Sequence, residues 1–307
     1  MVLLFPGQGA QRVGMGRDLA EQYPEARDTF LAIDEALGTP LSRLMFEGPE
    51  EELNQTHNTQ PAILAHSTAV LAVIGRRLTE VAAAAGHSLG EYSAWVASGA
   101  LAATEAARLV RRRGELMHEA GTRRPGAMAA VLGLGTAEVE AACAAASAGE
   151  EGIAVAANIN APDQTVISGD PAAVERAGAL CKAAGAKRVL PLKVSGAFHS
   201  PLMEPAVPGL HLELGRTPFH HPAFPVIANA DASVVTRPGD AVRLLERQLT
   251  APVRWVECVL AADNLAPEAT WLEIGPGTVL GGLLKRILPG PRYLSLGTAA
   301  EVEAFLQ

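Results

Sequence analysis

The sequence predicts an α/β protein built on a parallel sheet, with helices in the connections between its strands. Val2 to Phe5 and Val81 to Ala85 are short apolar runs, and each leads into a turn that contains glycine, which is typical of buried strands. A helical pattern follows the second run directly, and strands that alternate with helices favour parallel pairing. The 307 residues are enough for one large domain or two modest domains.

A second set of elements is predicted in the middle of the chain. Its strands and helices are, in order, Ala127–Leu132, Thr136–Ala146, Ile153–Ala157, Thr165–Ser168, Pro171–Ala184 and Arg188–Val194. This order, βαββαβ, is typical of a ferredoxin-like unit. We therefore expect a small ferredoxin-like domain over residues 126–194, inserted into a large α/β domain formed by residues 1–125 and 195–307. A single continuous sheet is the alternative.

Composition narrows the classes of function. The net charge is −8 at pH 7, which argues against a general nucleic-acid-binding protein. The apolar start, Met1 to Gly7, has no basic segment and is too short for a signal peptide, and no apolar run reaches transmembrane length. The three cysteines lack metal-type spacing, so reduced thiols are expected. These features predict a cytoplasmic protein with no membrane and no nucleic-acid partner.

The pentapeptide from Gly86 to Gly90 places a serine between the second predicted strand and the helix that follows. A strand, a sharp turn and a helix would expose the hydroxyl of Ser88 at the end of the sheet, and the flanking glycines would let strand and helix pass closely. The helix N-terminus would favour a developing negative charge there. Ser88 is therefore predicted to be a nucleophile that becomes acylated. A serine that only caps the helix is the alternative.

Two further segments of the N-terminal part have distinctive sequences, one predicted to be a turn and one predicted to begin a helix. The first strand leads into Pro6 to Gln11, a turn rich in glycine and amides whose backbone N–H groups are open to a neighbouring group. A dinucleotide-binding loop is a rival interpretation, but its three-glycine spacing and its later acidic residue do not appear in register. Further along, Gln60-Pro61 is predicted to open an apolar helix, since proline fits the first helical position.

The next signal is an arginine on the apolar face of a helix. The apolar face of the helix predicted after Thr104 consists of Ala106, Leu109, Val110, Leu116, Met117 and Ala120. Helical spacing puts Arg113 on this same face. A guanidinium keeps its proton in a protein, so a buried one needs an anionic partner or many acceptors. The partner is either an internal Asp or Glu, or a substrate carboxylate that the planar group would bind through two hydrogen bonds.

A histidine follows the predicted inserted unit, in the segment from Ser195 to Met203. Gly196 and Pro201 favour turns and the segment has little helical periodicity, so His199 is predicted to lie on a loop. A serine nucleophile needs a base within hydrogen-bond distance, and histidine is the usual one. The sequence therefore predicts that His199 is the general base for Ser88.

These motifs together resemble those of the malonyl-CoA:acyl-carrier-protein transacylases and the related acyltransferase domains of polyketide synthases. The matching segments are, in chain order, Phe5–Gly9, Thr59–Ala62, Gly86–Gly90, Arg113-Gly114, Gly196–Ser200, Gln248-Leu249 and Glu273–Gly277. They span nearly the whole chain. The resemblance implies a hydrolase-like large domain with a nucleophile elbow and an inserted ferredoxin-like domain.

The resemblance also implies a mechanism. Ser88 would attack the thioester of malonyl-CoA while His199 takes its proton, and Arg113 would hold the malonyl carboxylate. The malonyl group would then pass to the phosphopantetheine thiol of acyl carrier protein in a ping-pong cycle. Supporting roles are implied for the backbone N–H groups of Gln8 and Leu89 as oxyanion hole, for Gln248 in orienting His199, and for Gln60 and Asn160 in lining the site.

Substrate choice and partners follow from the same resemblance. Phe198 would crowd an α-methyl group and so favour malonyl over methylmalonyl, a discrimination worth about 1–3 kcal/mol. No cofactor and no metal are implied, and a monomer is expected. A basic patch is expected to meet the acidic carrier protein. Its candidate residues are Lys182, Lys187, Arg188, Lys285 and Arg286.

Three alternatives stay open at this point. A trans-acting acyltransferase of a polyketide synthase would share the chemistry. An editing acyl-thioester hydrolase would pass the acyl group to water and would have little use for Arg113. A scaffold subunit that docks carrier proteins would need none of Ser88, Arg113 and His199.

Overall fold

The computed structural model describes residues 1–148 and 152–307, and its larger sheet has six strands. The strands are β1 (Val2–Phe5), β2 (Ala83–Gly86), β7 (Val226–Ile227), β8 (Val234–Val235), β9 (Trp271–Ile274) and β10 (Tyr293–Leu296). Their order is β10-β9-β1-β2-β7-β8. All neighbours pair in parallel except β7 and β8. The predicted parallel α/β sheet is therefore confirmed.

The smaller sheet has four strands and lies in the middle of the chain. It contains β3 (Ala127–Leu132), β4 (Ala154–Ala161), β5 (Gln164–Gly169) and β6 (Arg188–Pro191). Its order is β4-β5-β3-β6, and every pair is antiparallel. The strands thus form two sheets rather than one continuous sheet. The predicted end of the second of these strands at Ala157 was wrong, because β4 continues to Ala161 with two register shifts.

Helices connect most of the strands of both sheets. They are α1 (Arg17–Gln22), α2 (Pro24–Leu37), α3 (Leu41–Glu47), α4 (Glu50–Leu53), α5 (Thr56–Ile74), α6 (Gly90–Ala97), α7 (Ala103–Arg123), α8 (Thr136–Ser147), α9 (Pro171–Ala183), α10 (Val207–Arg216), α11 (Pro238–Gln248), α12 (Trp255–Leu265), α13 (Val279–Ile287) and α14 (Ala299–Leu306). Short 3₁₀ turns lie at Gly75–Arg77 and Pro201–Ala206. None of the described helices combines the length and apolarity needed to cross a bilayer.

Helix α5 starts earlier than the sequence predicts. It begins at Thr56, so Pro61 lies inside the helix and not at its first position. Proline has no N–H and cannot donate to the carbonyl four residues before it, which is that of His57. Arg111 compensates for this, because its Nη1 donates to the carbonyl oxygen of His57 at 2.9 Å. The early start is therefore stabilised by a contact with α7 that the local sequence does not show.

Backbone hydrogen bonds join the smaller sheet to the segment that follows α11. The N–H of Ile159 on β4 donates to the carbonyl oxygen of Val253 at 2.9 Å, and the N–H of Val253 donates to that of Ala157 at 2.8 Å. Asn158 and Val253 thereby form a parallel bridge. Val253 lies just after α11, so β4 is held directly to the segment that follows Gln248.

Candidate active site

Ser88 lies in a sharp turn between β2 and α6. Its φ is +51°, which is unusual for a residue with a side chain. The two flanking glycines permit the close packing that the sequence predicts: a Cβ on Gly86 would lie 1.9 Å from the carbonyl carbon of Gly90, and one on Gly90 would lie 2.1 Å from the carbonyl oxygen of Phe5. Any larger residue at either position would collide with backbone atoms.

His199 lies beside the serine. The Ser88 hydroxyl is 2.7 Å from His199 Nε2, and His199 Nδ1 is 2.9 Å from the carbonyl oxygen of Gln248. Because a carbonyl only accepts, Nδ1 carries the proton and Nε2 offers its lone pair to the hydroxyl. Burial and the nearby charge of Arg113 lower the pKa of His199 to about 3. The ring is therefore neutral and positioned to accept the serine proton.

Arg113 is buried in the same place, with 1% of its surface exposed. Its Nη1 donates to Gln60 Oε1 at 2.7 Å, and its Nη2 donates to Gln248 Oε1 at 3.0 Å and to Ser88 Oγ at 3.2 Å. None of these acceptors is charged, and Nε has no hydrogen-bond partner among the described residues. The sequence left an internal ion pair open, but the direct contacts of this guanidinium are neutral groups that surround the nucleophile.

Two backbone N–H groups near the serine are available to a ligand. Those of Gln8 and Leu89 donate to no acceptor among the described residues. Leu89 directly precedes α6, and Gln8 lies in the turn after β1, the strand next to β2. Unpaired N–H groups at such a place can stabilise an oxyanion.

A cavity of about 370 Å³ opens at the serine, between the two sheets. Of the predicted site residues, all but Gln248 line it: Gln8, Gln60, Ser88, Leu89, Arg113, Asn160, Phe198 and His199. Gln248 is fully buried behind the serine. Asn160 reaches the cavity from β4, and its Oδ1 accepts a hydrogen bond from His87 Nε2 at 2.8 Å.

Two residues that hold the serine were not found from the sequence. Asn229 Oδ1 accepts from the N–H of Ser88 at 2.7 Å, and the backbone N–H of Asn229 donates to Glu91 Oε2 at 2.9 Å. Glu91 is fully buried on α6. A signal existed for each: Asn229 follows a strand that ends beside β2, and Glu91 is the one charged residue of α6.

The arrangement can form an ester on Ser88 from an acyl compound that carries an anionic group. The hydroxyl has a neutral base at hydrogen-bond distance, and the N–H pair is open toward the cavity. A permanent cation lies 3.2 Å from the nucleophilic oxygen. An acyl group with a carboxylate near its reactive carbonyl matches this set of groups.

Known proteins are similar to this chain in sequence and in structure. Residues 2–298 match the family model described as acyl transferase domain. The chain is 47% identical over 306 residues to the malonyl CoA-acyl carrier protein transacylase of Escherichia coli K12, covering 99% of this chain and 98% of that protein.

Solved structures agree with this relationship. An acyl carrier protein S-malonyltransferase from Vibrio cholerae is 46% identical with a TM-score of 0.93, over 99% of this chain and 98% of that one. A malonyl-transacylase in complex with a type II PKS acyl-carrier protein is 43% identical with a TM-score of 0.94, again over 99% and 98%. The chain therefore belongs to the acyl transferase family, among the malonyl CoA-acyl carrier protein transacylases.

Proposed function

We propose that the protein transfers the malonyl group of malonyl-CoA to the phosphopantetheine thiol of an acyl carrier protein, through an ester on Ser88. The observation that carries this proposal is the contact set of Arg113. A buried guanidinium with only neutral direct partners, 3.2 Å from the nucleophile, is suited to an acyl group that brings its own carboxylate. The names of the relatives agree with this substrate.

In the first half of the cycle, Ser88 attacks the thioester carbonyl. His199 Nε2 takes the serine proton, and the N–H groups of Gln8 and Leu89 donate to the oxyanion that forms. Collapse of the tetrahedral intermediate expels the thiolate of coenzyme A, which takes the proton from His199. Loss of one oxyanion donor typically costs on the order of a hundredfold in rate.

In the second half, the pantetheine thiol of the carrier protein enters the same cavity. His199 takes its proton, the thiolate attacks the malonyl ester, and the proton returns to Ser88 as the ester breaks. Gln248 orients His199 through its carbonyl group, and Gln60 and Asn160 line the acyl site. Each proton transfer and each developing charge is assigned to a residue of this chain, so we propose that neither cofactor nor metal takes part.

The proposal extends to the organisation of the chain. Residues 1–125 and 195–307 would form a hydrolase-like large domain, and residues 126–194 a ferredoxin-like inserted domain. The βαββαβ order and the strand order β4-β5-β3-β6 support the second assignment. All proposed site residues come from one chain, which supports activity as a monomer.

One observation supports polyketide synthesis as a second candidate pathway. The relative solved in complex with a type II PKS acyl-carrier protein is 43% identical, so service to a polyketide carrier protein is the alternative to fatty-acid synthesis. Transfer rates to carrier proteins of the two kinds, compared with the same malonyl-enzyme, would separate them.

The function is tested by intact-mass spectrometry after brief incubation with malonyl-CoA. A single malonyl adduct should form on the wild type, be absent from Ser88→Ala and be strongly reduced in Arg113→Ala. Arg112→Ala is the matched control, because this neighbouring arginine pairs with Glu115 and Glu119 at the surface. Added holo carrier protein should remove the adduct and gain the malonyl group. Release of coenzyme A and free malonate with no transfer would instead identify a hydrolase.

A further inference from the structure

Glu91 is a buried carboxyl group that the cycle above does not use. Its Oε2 accepts from the backbone N–H of Asn229 at 2.9 Å and from Gln248 Nε2 at 2.7 Å. These two residues hold the nucleophile: Asn229 Oδ1 accepts from the N–H of Ser88 at 2.7 Å, and Gln248 Nε2 donates to the Ser88 carbonyl at 3.0 Å. One oxygen of Glu91 therefore anchors both residues that fix the unusual backbone of Ser88.

The side chain of Gln248 also connects Glu91 to Arg113. Its Nε2 faces Glu91, and its Oε1 accepts from Arg113 Nη2 at 3.0 Å. An ionised carboxylate and a backbone carbonyl only accept hydrogen bonds, so Glu91 and the Ser88 carbonyl both require the NH₂ end of the amide, and Oε1 is left for Arg113. The amide thus lies between a buried carboxylate and a buried guanidinium. A buried cation requires compensating charge, and Glu91 supplies it from the far side of the amide.

We propose that Glu91 is the internal counter-ion of Arg113, and that it takes up one proton from solvent when the carboxylate of the acyl substrate binds the guanidinium. The inference rests on the proposed function, since the second carboxylate arrives with the malonyl group. Two carboxylates that share one cation in a buried site cannot both stay ionised at low cost. The malonyl carboxylate binds the guanidinium directly and keeps its charge, so the proton goes to Glu91.

The surroundings of Glu91 favour the uptake of a proton near neutral pH. Burial raises the pKa of Glu91 to about 7, although its hydrogen bonds and the charge of Arg113 act in the opposite direction. The titratable groups that act on it are Arg113 on α7, the Cys258 thiol on α12 and Tyr92 on its own helix. Burial raises the pKa of both Cys258 and Tyr92, so these two stay neutral and Arg113 is the charge that faces Glu91. Among the described residues Oε1 accepts no hydrogen bond of normal geometry, although the nearby Trp95 side chain also lowers the pKa of Glu91. A proton can therefore be added at Oε1 without breaking a hydrogen bond.

The test is proton uptake during acylation, followed with an indicator dye in weak buffer. At pH 8 the wild type should take up about one proton per serine acylated, and at pH 6 only a small fraction of one, because free Glu91 is then already largely protonated. Glu91→Gln should take up none. Glu115→Gln is the matched control and should behave as the wild type, since Glu115 lies at the surface of α7 beside Arg111 and Arg112.

The malonyl adduct is measured by intact mass in the same samples, so that the two proposals can fail separately. Adduct without proton uptake would overturn this inference alone, and absence of any adduct would overturn the proposed function with it. Uptake that persists in Glu91→Gln would assign the proton to another group, such as His199. If Glu91→Gln does not fold, infrared difference spectra of the wild type in H₂O and D₂O decide. A protonated carboxyl band must appear on acylation and shift on deuteration, whereas the new ester band does not shift.

Discussion

His199 Nδ1 lies 2.9 Å from the backbone carbonyl oxygen of Gln248. A carbonyl orients the ring but carries no net charge, whereas the carboxylate of a Ser-His-Asp site also stabilises the protonated imidazole. The charged neighbour of His199 is instead Arg113, which opposes protonation. The ring is thus held in position to accept a proton and returns it readily, which suits a site where the same histidine acts twice in one cycle.

The first prediction concerns the pH dependence of acylation. Burial and the charge of Arg113 lower the pKa of His199 to about 3, and the neutral ring is the active form. The acid limb of kcat/KM for malonyl-CoA should therefore lie well below pH 6, rather than near the ordinary value of about 6.5. Stopped-flow acylation between pH 4 and pH 8, with circular dichroism to confirm folding, measures this. A limb centred near 6.5 would contradict the prediction.

The second prediction concerns backbone strain at the nucleophile. Ser88→Ala and Ser88→Gly both remove the hydroxyl, but only glycine adopts a φ of +51° without a steric penalty. The glycine variant should be more stable than the alanine variant by about 1 kcal/mol, and neither should form a malonyl adduct. Urea denaturation measures the difference. As a control, Ala94→Gly inside α6 should lower the free energy of unfolding. Equal stability of the two variants at position 88 would count against strain.

The third prediction concerns acyl selectivity. Phe198 lines the cavity beside His199 and is 6% exposed, so its removal should make room for an α-methyl group. Phe198→Ala should raise the ratio of kcat/KM for methylmalonyl-CoA to that for malonyl-CoA by about tenfold to a hundredfold. Phe219→Ala is the control, since Phe219 packs against Trp95 and does not line the cavity. An unchanged ratio in Phe198→Ala would show that selectivity lies elsewhere.

The fourth prediction concerns the carrier protein. Arg286 contacts Asp163 and Gln164, and Gln164 lines the cavity, so this arginine lies near its opening. Arg286→Glu should raise KM for the acidic carrier protein by about tenfold and leave the kinetics of malonyl-CoA unchanged. Arg237→Glu, an exposed arginine on the N-terminal side of α11, should affect neither. Equal effects of Arg286→Glu on both substrates would argue against a docking role.

The sequence predicted the parts of the site that depend on local spacing. The elbow follows from glycines on both sides of Ser88, and the burial of Arg113 follows from helical periodicity; the structure places both beside His199. The neutral direct contacts of Arg113 could not be predicted, because Gln60 on α5, Gln248 on α11 and Ser88 at the elbow meet it only in the folded chain. The same holds for Asn229, whose contact with Ser88 joins residues far apart in sequence. The position of Pro61 in its helix was predicted wrongly for a related reason. The carbonyl that Pro61 leaves without a donor accepts a hydrogen bond from Arg111, which lies on another helix.

The backbone bonds between Val253 and β4 have a consequence for how substrates enter. A hinge motion that moved the two sheets apart and widened the cavity would have to break these hydrogen bonds. It would also displace the segment next to Gln248. We therefore expect the walls of the cleft to keep a constant spacing while malonyl-CoA and the carrier protein exchange, with access controlled by side-chain rotation at its mouth. Acyl-chain length would then be set by residues on the fixed wall, such as Met128 on β3 and Val166 on β5. Redesign for longer acyl groups should begin with those two positions rather than with the segments that connect the two sheets.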